Sequence, residues 1–342
     1  MDELRRNMNM KPILGIFLGE ASGVGPEIVA RLAGNGTLQK YCRPVLIGDA
    51  RVLKQGQEFA GTDFPVQVVE KVADVDWNGP VALLDMKNLD TADYTVGAVS
   101  PVSGKATGDT LVYSMDLLKQ QAIDGFVFGP LNKEAFKRGG YHVEDEHQLF
   151  AECLDWADKP HGILNVMDGL WTFRVTAHIP FKEVAEHITH DNVLRTIELT
   201  ALTMKTAGYD NPKIAVAALN PHAGEGGLCG TEEVEVLAPL VKELQDKGMN
   251  VVGPISADTI FMHAFAGEYD AVITLYHDQG QIATKLKAFD TGVTVAGGLP
   301  YPVTTPEHGS AYDIAGKGIA KTKATEEAVR IAAQMAGWRG EE

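Results

Sequence analysis

Short apolar runs alternate along the chain with longer stretches of helical period. Ile13–Leu18, Pro44–Gly48, Val66–Val69, Ala82–Asp85, Gly125–Phe128, Ile163–Met167, Thr172–Thr176, Lys213–Leu219, Ala271–Tyr276 and Gly292–Val295 read as strands. Between many of them lie helix-length patterns: Thr107–Gln121, Asn192–Ala207, Thr231–Asp246 and Ala324–Met335. In Asn192–Ala207, Val193, Leu194, Ile197, Leu202 and Met204 mark one face, and Gly208 stops the helix. Nearly continuous apolar strands that alternate with helices predict an α/β fold whose mostly parallel sheets are covered by helices. The 36 glycines gather where strands hand over to loops, which is where such folds hold their ligands. At roughly 100–200 residues per domain, the 342 residues suggest two domains, with no linker or composition shift between them.

Charge narrows the partners. Lys+Arg 30 against Asp+Glu 46 leaves a net charge of −16. A surface this acidic lacks the basic stripe that a phosphate backbone requires and repels anionic membranes, so no nucleic acid and no membrane is expected. Cys42, Cys153 and Cys229 are odd in number and far apart, which excludes a disulfide framework and fits a reducing cytoplasm. The apolar run Ile13–Leu18 is too short for a signal segment or a membrane span. The expected location is cytoplasmic.

Candidate chemistry collects at strand ends. Gly19-Glu20-Ala21-Ser22-Gly23-Val24-Gly25-Pro26-Glu27 follows the first strand and opens a helix, with Pro26 suited to its first turn. Exposed N–H groups there suit an anion. The carboxylates of Glu20 and Glu27 oppose one, so a plain tight turn is the competing reading. Three histidines share another setting: His178, His222 and His277 each lie just past the carboxyl end of a strand. Three imidazoles with an open fourth position suit a divalent ion such as Zn²⁺, Mg²⁺, Mn²⁺ or Co²⁺, which polarises an alcohol or carbonyl oxygen. Three unrelated histidines would satisfy the same spacing. Asp278, Asp258 and Lys133 are the candidates to relay a hydroxyl proton, and Lys285 lies eight residues beyond His277.

The most specific string runs from Glu307 through His308, Gly309, Ser310, Ala311, Tyr312 and Asp313 to Ala320. It resembles the adenosine-binding loop of isopropylmalate and isocitrate dehydrogenases, which implies NAD as cofactor, with Asp313 accepting hydrogen bonds from the ribose hydroxyls and repelling a 2′-phosphate. Together with Gly19–Glu27, Asn220–Gly227, Gly253–Thr259, Tyr276–Gly280 and Gly298-Leu299-Pro300, it makes nearly the whole chain resemble the 4-hydroxythreonine-4-phosphate dehydrogenase family. The resemblance implies a two-domain isopropylmalate dehydrogenase-like fold with an interdomain cleft. The expected division is 1–130 plus 290–342 on the cofactor side and 131–289 on the metal, substrate and dimerisation side. It also implies a homodimer with shared active sites, one divalent metal on His178, His222 and His277, and Lys285 on the substrate. NAD then takes a hydride from a hydroxy acid, and the β-keto product can lose CO₂.

The departures from the family pattern fall on substrate positions. Asp145-Glu146-His147 stands where members carry Gly-His-Thr, Thr294 replaces an asparagine, and Val303 replaces an arginine used on phosphate. Losing the guanidinium fork and gaining carboxylates disfavours a doubly charged phosphate. Glu146, His147, Thr294 and Val303 are therefore the expected specificity positions. The terephthalate cis-dihydrodiol dehydrogenases, which oxidise unphosphorylated ring diols, are a second similar branch. A three-histidine hydrolase or lyase, or a non-catalytic ligand binder, would leave the loop around Asp313 or the histidines without a purpose.

Overall fold

The computed structural model describes residues 10–143, 145–288 and 290–340. Its strands are β1 (Ile13–Phe17), β2 (Arg43–Gly48), β3 (Val66–Val69), β4 (Val81–Asp85), β5 (Gly125–Val127), β6 (Gly162–Met167), β7 (Leu170–Arg174), β8 (Ile214–Ala217), β9 (Val251–Ile255), β10 (Ala271–Thr274), β11 (Val293–Gly297) and β12 (Val303–Pro306). They belong to two compact units. One takes the residues up to Lys159 and those from Leu299 on; the other is Pro160–Gly298.

In the first unit the strand order is β3-β4-β2-β1-β5-β12, and every pairing is parallel. All five residues of β1 are buried, as expected for a strand covered on both faces. Leu14, Leu46, Leu83 and Phe126 form the centre of the core. The helix Pro101–Lys119 begins six residues before the apolar pattern suggests, because Ser100 caps it by accepting from the Ser103 N–H and Pro101 fits its first turn. Gly104 and Gly108 interrupt the pattern for a packing reason. A Cβ on Gly104 would lie 1.9 Å from the Ala135 carbonyl oxygen, and one on Gly108 would lie 1.9 Å from the Tyr141 ring. The helix Lys133–Arg138 thus packs directly on Pro101–Lys119. Residues 131–159 accordingly belong to the first unit, and the division falls at 159/160 and 298/299 rather than at 130/131 and 289/290. Strand β12, bounded by Pro302 and Pro306 and rich in threonine, carries little apolar signal; it is fixed by pairing with β5 and by the Thr304 hydroxyl, which donates to the Ala328 carbonyl at 2.8 Å.

In the second unit the order is β11-β6-β7-β10-β8-β9. Strand β6 runs antiparallel to both β11 and β7, while β7, β10, β8 and β9 are mutually parallel. Met167, Leu170, Ala215, Ala217, Ile260, Phe261 and Val272 build its core. The helix His190–Thr206 matches its predicted span closely, but Leu202 is exposed and Leu199 takes its place in the buried face. The predicted helix Thr231–Asp246 is a π-helical turn, Glu233–Leu237, followed by α-helix Ala238–Asp246.

Candidate active site

Because β7, β10 and β8 are adjacent and parallel, their carboxyl ends emerge side by side on one edge of the second unit. His178 follows β7, His277 follows β10 and His222 follows β8. The ladder between the first two continues past the strands: the Thr176 N–H and hydroxyl both donate to the Leu275 carbonyl, at 3.1 and 2.7 Å. Phe181 packs edge-on against Tyr276, 5.4 Å between centroids. Gln279 ties the other flank, accepting from the Leu275 N–H at 2.7 Å and donating to the Ala218 carbonyl at 2.8 Å.

These contacts bring the rings of His178 and His277 to 5.7 Å between centroids, at 44°. Two imidazoles on one tetrahedral ion, with metal–nitrogen bonds of about 2.0–2.1 Å, place their centroids roughly 5 Å apart, so this pair fits a shared cation with little movement. His277 Nδ1 lies 2.7 Å from the Asp278 carboxylate. A carboxylate on Nδ1 fixes the tautomer that leaves Nε2 available as a ligand. Asp278 therefore holds the ring of His277 in place.

His222 stands apart from the pair. Its loop is a run of left-handed backbone, and the ring is exposed, with Nδ1 3.6 Å from Glu225. Among the described residues no group of three or more His, Cys, Asp or Glu side chains is gathered closely enough to hold an ion. The structure joins two of the three predicted ligands and leaves the third on the neighbouring strand end. Non-glycine residues in this left-handed region cost roughly 1–2 kcal/mol each. His222, Ala223 and Glu225 all occupy it.

The remaining predicted residues of the second unit lie on a helix start, a helix and a strand. Asp258 is exposed in the first turn of the helix Ala257–Phe265. Lys285 is exposed on the helix that His277 begins, His277–Ala288. Thr294 is half-buried on β11, its hydroxyl accepting from the Asn165 amide at 3.3 Å.

In the first unit, Lys133 is exposed at the start of its helix, which Asn132 caps by accepting from the Ala135 N–H at 2.9 Å. Glu146 is half-buried in a first turn capped by Asp145. His147 is 6% exposed and sits beside Phe150, so it faces the interior. Val303 is corrected outright. It is 0% exposed, paired with Phe126 within the sheet, and fills the core instead of facing a substrate. Pairing with β5 decides this, and a strand so short and polar gives the sequence no means of reading it.

The loop from His308 is braced from beneath. The Val24 N–H donates to the Ser310 carbonyl at 3.0 Å, and the His308 Nδ1 lies 3.0 Å from the Gly309 carbonyl. Ala311 takes a left-handed φ of 44°. Asp313 is exposed on the loop's outer side. In the first glycine-rich segment Glu20 and Glu27 are each 1% exposed. Glu20 accepts from the Tyr312 hydroxyl at 2.8 Å and from the Ser103 hydroxyl at 3.0 Å. Glu27 accepts from the N–H groups of Ala320, at 2.9 Å, and Gly318, at 3.2 Å. Arg31 donates to the carbonyls of the same two residues and to Glu27. Both carboxylates are turned inward to grip the loop. Burial pushes the Glu20 carboxyl up, more than hydrogen bonds from Tyr312 and Ser103 hold it down. Burial and the charge of Glu20 push the Tyr312 phenol up as well, so it remains a donor. A small opening lies beside this cluster at the ends of β1 and β2, lined by Gly19, Gly48, Asn88, Ser103 and Thr107. Sequence inspection singles out neither Ser103 nor Tyr312 as Glu20's partners.

A family model described as "Pyridoxal phosphate biosynthetic protein PdxA" matches residues 40–332. The chain belongs to the PdxA family. A PdxA-family relative from Rhizobium meliloti (strain 1021), named "Putative 4-hydroxythreonine-4-phosphate dehydrogenase 2", is 40% identical over 328 residues, 95% of this chain and 94% of the relative. One from Clostridium botulinum (strain Hall / ATCC 3502 / NCTC 13319 / Type A), named "Putative D-threonate 4-phosphate dehydrogenase", is 35% identical over 328 residues, 96% of this chain and 98% of the relative. The crystal structure of a 4-hydroxythreonine-4-phosphate dehydrogenase from Klebsiella pneumoniae is similar with a TM-score of 0.84 at 29% identity, covering 96% of this chain and 98% of that one. The mostly parallel, helix-covered α/β architecture expected from the sequence is that of the family.

Proposed function

We propose that the chain is an NAD- and divalent-metal-dependent dehydrogenase that oxidises a secondary alcohol of a phosphorylated hydroxy acid. The observation that carries this is likeness over nearly the full length to relatives named as dehydrogenases of 4-hydroxythreonine 4-phosphate and D-threonate 4-phosphate. The Val303 side chain lies in the core and does not itself exclude a phosphate.

His178 and His277 would hold the ion, joined by His222. When bound, it supplies Lewis acidity towards the substrate's hydroxyl oxygen. Asp278 keeps His277 in its ligating tautomer. Lys285 gives an anionic substrate a cationic handle on the same helix, and Asp258 or Lys133 takes the hydroxyl proton. Glu146 and Thr294 contribute to substrate choice. His308, Gly309, Ser310 and Ala311 shape the cofactor loop, where Asp313 accepts from the ribose hydroxyls of NAD. Loss of CO₂ from a β-keto product completes the reaction where the substrate's carboxylate permits it. Exposed apolar side chains on the second unit, including Phe181, Leu228, Met262 and Leu286, support a homodimer that covers them. Among the described residues no helix is long and apolar enough to cross a membrane. The absence of paired cysteines supports a cytoplasmic setting.

NADH formation with Mn²⁺ or Zn²⁺ present tests the reading. Turnover of D-threonate 4-phosphate or 4-phosphohydroxy-L-threonine is expected, lost on chelation and restored by metal. Turnover of an unphosphorylated cis-dihydrodiol carboxylate alone would overturn the phosphate assignment.

A further inference from the structure

The loop that carries His222 holds a conformation its own residues disfavour. From His222 to Gly226 the φ angles are 53°, 53°, 77°, 49° and 68°, one turn of left-handed helix. Three of those five residues carry a Cβ. Such a turn persists only where its surroundings over-determine it.

One carboxylate does most of that. Glu233, 2% exposed on the π-helical turn, accepts through Oε1 from the N–H groups of Leu219 and Asn220, both at 2.8 Å. Through Oε2 it accepts from the Asn220 side-chain amide at 2.9 Å. The same Oε2 lies against the curl itself: a Cβ on Gly224 would come within 2.7 Å of it. Glu232 adds a second acceptor for the Asn220 amide, at 2.6 Å. The strand end, the residue that begins the loop and the middle of the turn are thus all referred to one buried side chain.

We infer that Glu233 is a positioning residue for His222. Its carboxylate fixes the left-handed turn and so sets where the imidazole stands beyond the end of β8. The inference rests on the reading of His222 as a metal ligand.

The test is Mn²⁺ titration by calorimetry on the full chain, comparing His222→Ala, Glu233→Gln and the double variant, with thermal melts alongside. Glu233→Gln is expected to weaken Mn²⁺ binding by about tenfold or more, as loss of an outer-shell partner does. Added to His222→Ala it should cost less than about a further twofold, because its effect runs through the imidazole. Gly224→Ala, which pushes a Cβ at Oε2, should reproduce the loss and keeps the test open if Glu233→Gln fails to fold. Unchanged Mn²⁺ affinity in both Glu233→Gln and Gly224→Ala would overturn the inference, as would losses that add fully to that of His222→Ala. If His222→Ala itself leaves Mn²⁺ affinity intact, the metal assignment of His222 fails, and the positioning role fails with it.

Discussion

A buried carboxyl with hydroxyl donors is pulled two ways, and at Glu20 burial outweighs the donors. Burial raises its pKa above 4.5 despite the donors Tyr312 and Ser103. The sign of the pH dependence follows. As pH climbs past 4.5 the unfolded chain ionises first, so folding loses stability until Glu20 itself ionises at its raised value. Glu20→Gln removes that term. Its unfolding free energy, relative to the native chain, should therefore improve as pH rises through that window and level off above it. Urea melts in buffers from below 4.5 to neutrality would show this, and a flat difference across the series would refute it. Sequence inspection reaches the acid but not its setting. An acidic residue after a strand is visible in Gly19-Glu20-Ala21, whereas Ser103 and Tyr312 stand 83 and 292 positions away. The strand-end histidines were legible for the opposite reason, since an apolar run ending in a polar loop is a local signal.

At the scale of elements, helix Pro101–Lys119 shows why boundaries are harder to read than kinds. Gly104 and Gly108 look like breakers in a one-dimensional pattern, yet they are the contact surface for the next helix and for Tyr141. Gly104→Ala gains about 1 kcal/mol of helix propensity. It also drives a Cβ into the Ala135 carbonyl, and such overpacking typically costs about 1–3 kcal/mol. Backbone offers no flexible atom to yield, so net destabilisation is expected, read as a lower urea midpoint. A midpoint at or above that of the native chain would show that the two helices part easily. Strand β12 hid for a related reason. Two prolines and two threonines in Pro302–Pro306 suggest a loop, and only pairing with β5 makes them a strand, with Val303 inside.

At the scale of the molecule, parallel sheets under helices were legible because strands buried on both faces print their burial directly into the sequence. The placing of residues 131–159 was not, since it depends on the glycine contacts just described. Both units expose large apolar side chains, and the four most exposed among the described residues, Leu228, Leu286, Phe181 and Met262, belong to the second unit. Light scattering should report a dimer for the native chain and a monomer for Leu286→Glu, which puts a charge at one of the most exposed apolar positions. A native monomer would refute the dimer.

The grip of Glu27 and Arg31 on Gly318 and Ala320 bears on how a ligand is received. Peptide groups that would otherwise wait for a partner are already satisfied by side chains of the helix Gly25–Gly34. The conformational freedom of this stretch is surrendered when the chain folds, not when a ligand arrives. If the loop receives NAD as proposed, association needs little ordering of it, and more of the contact energy is left to appear as affinity.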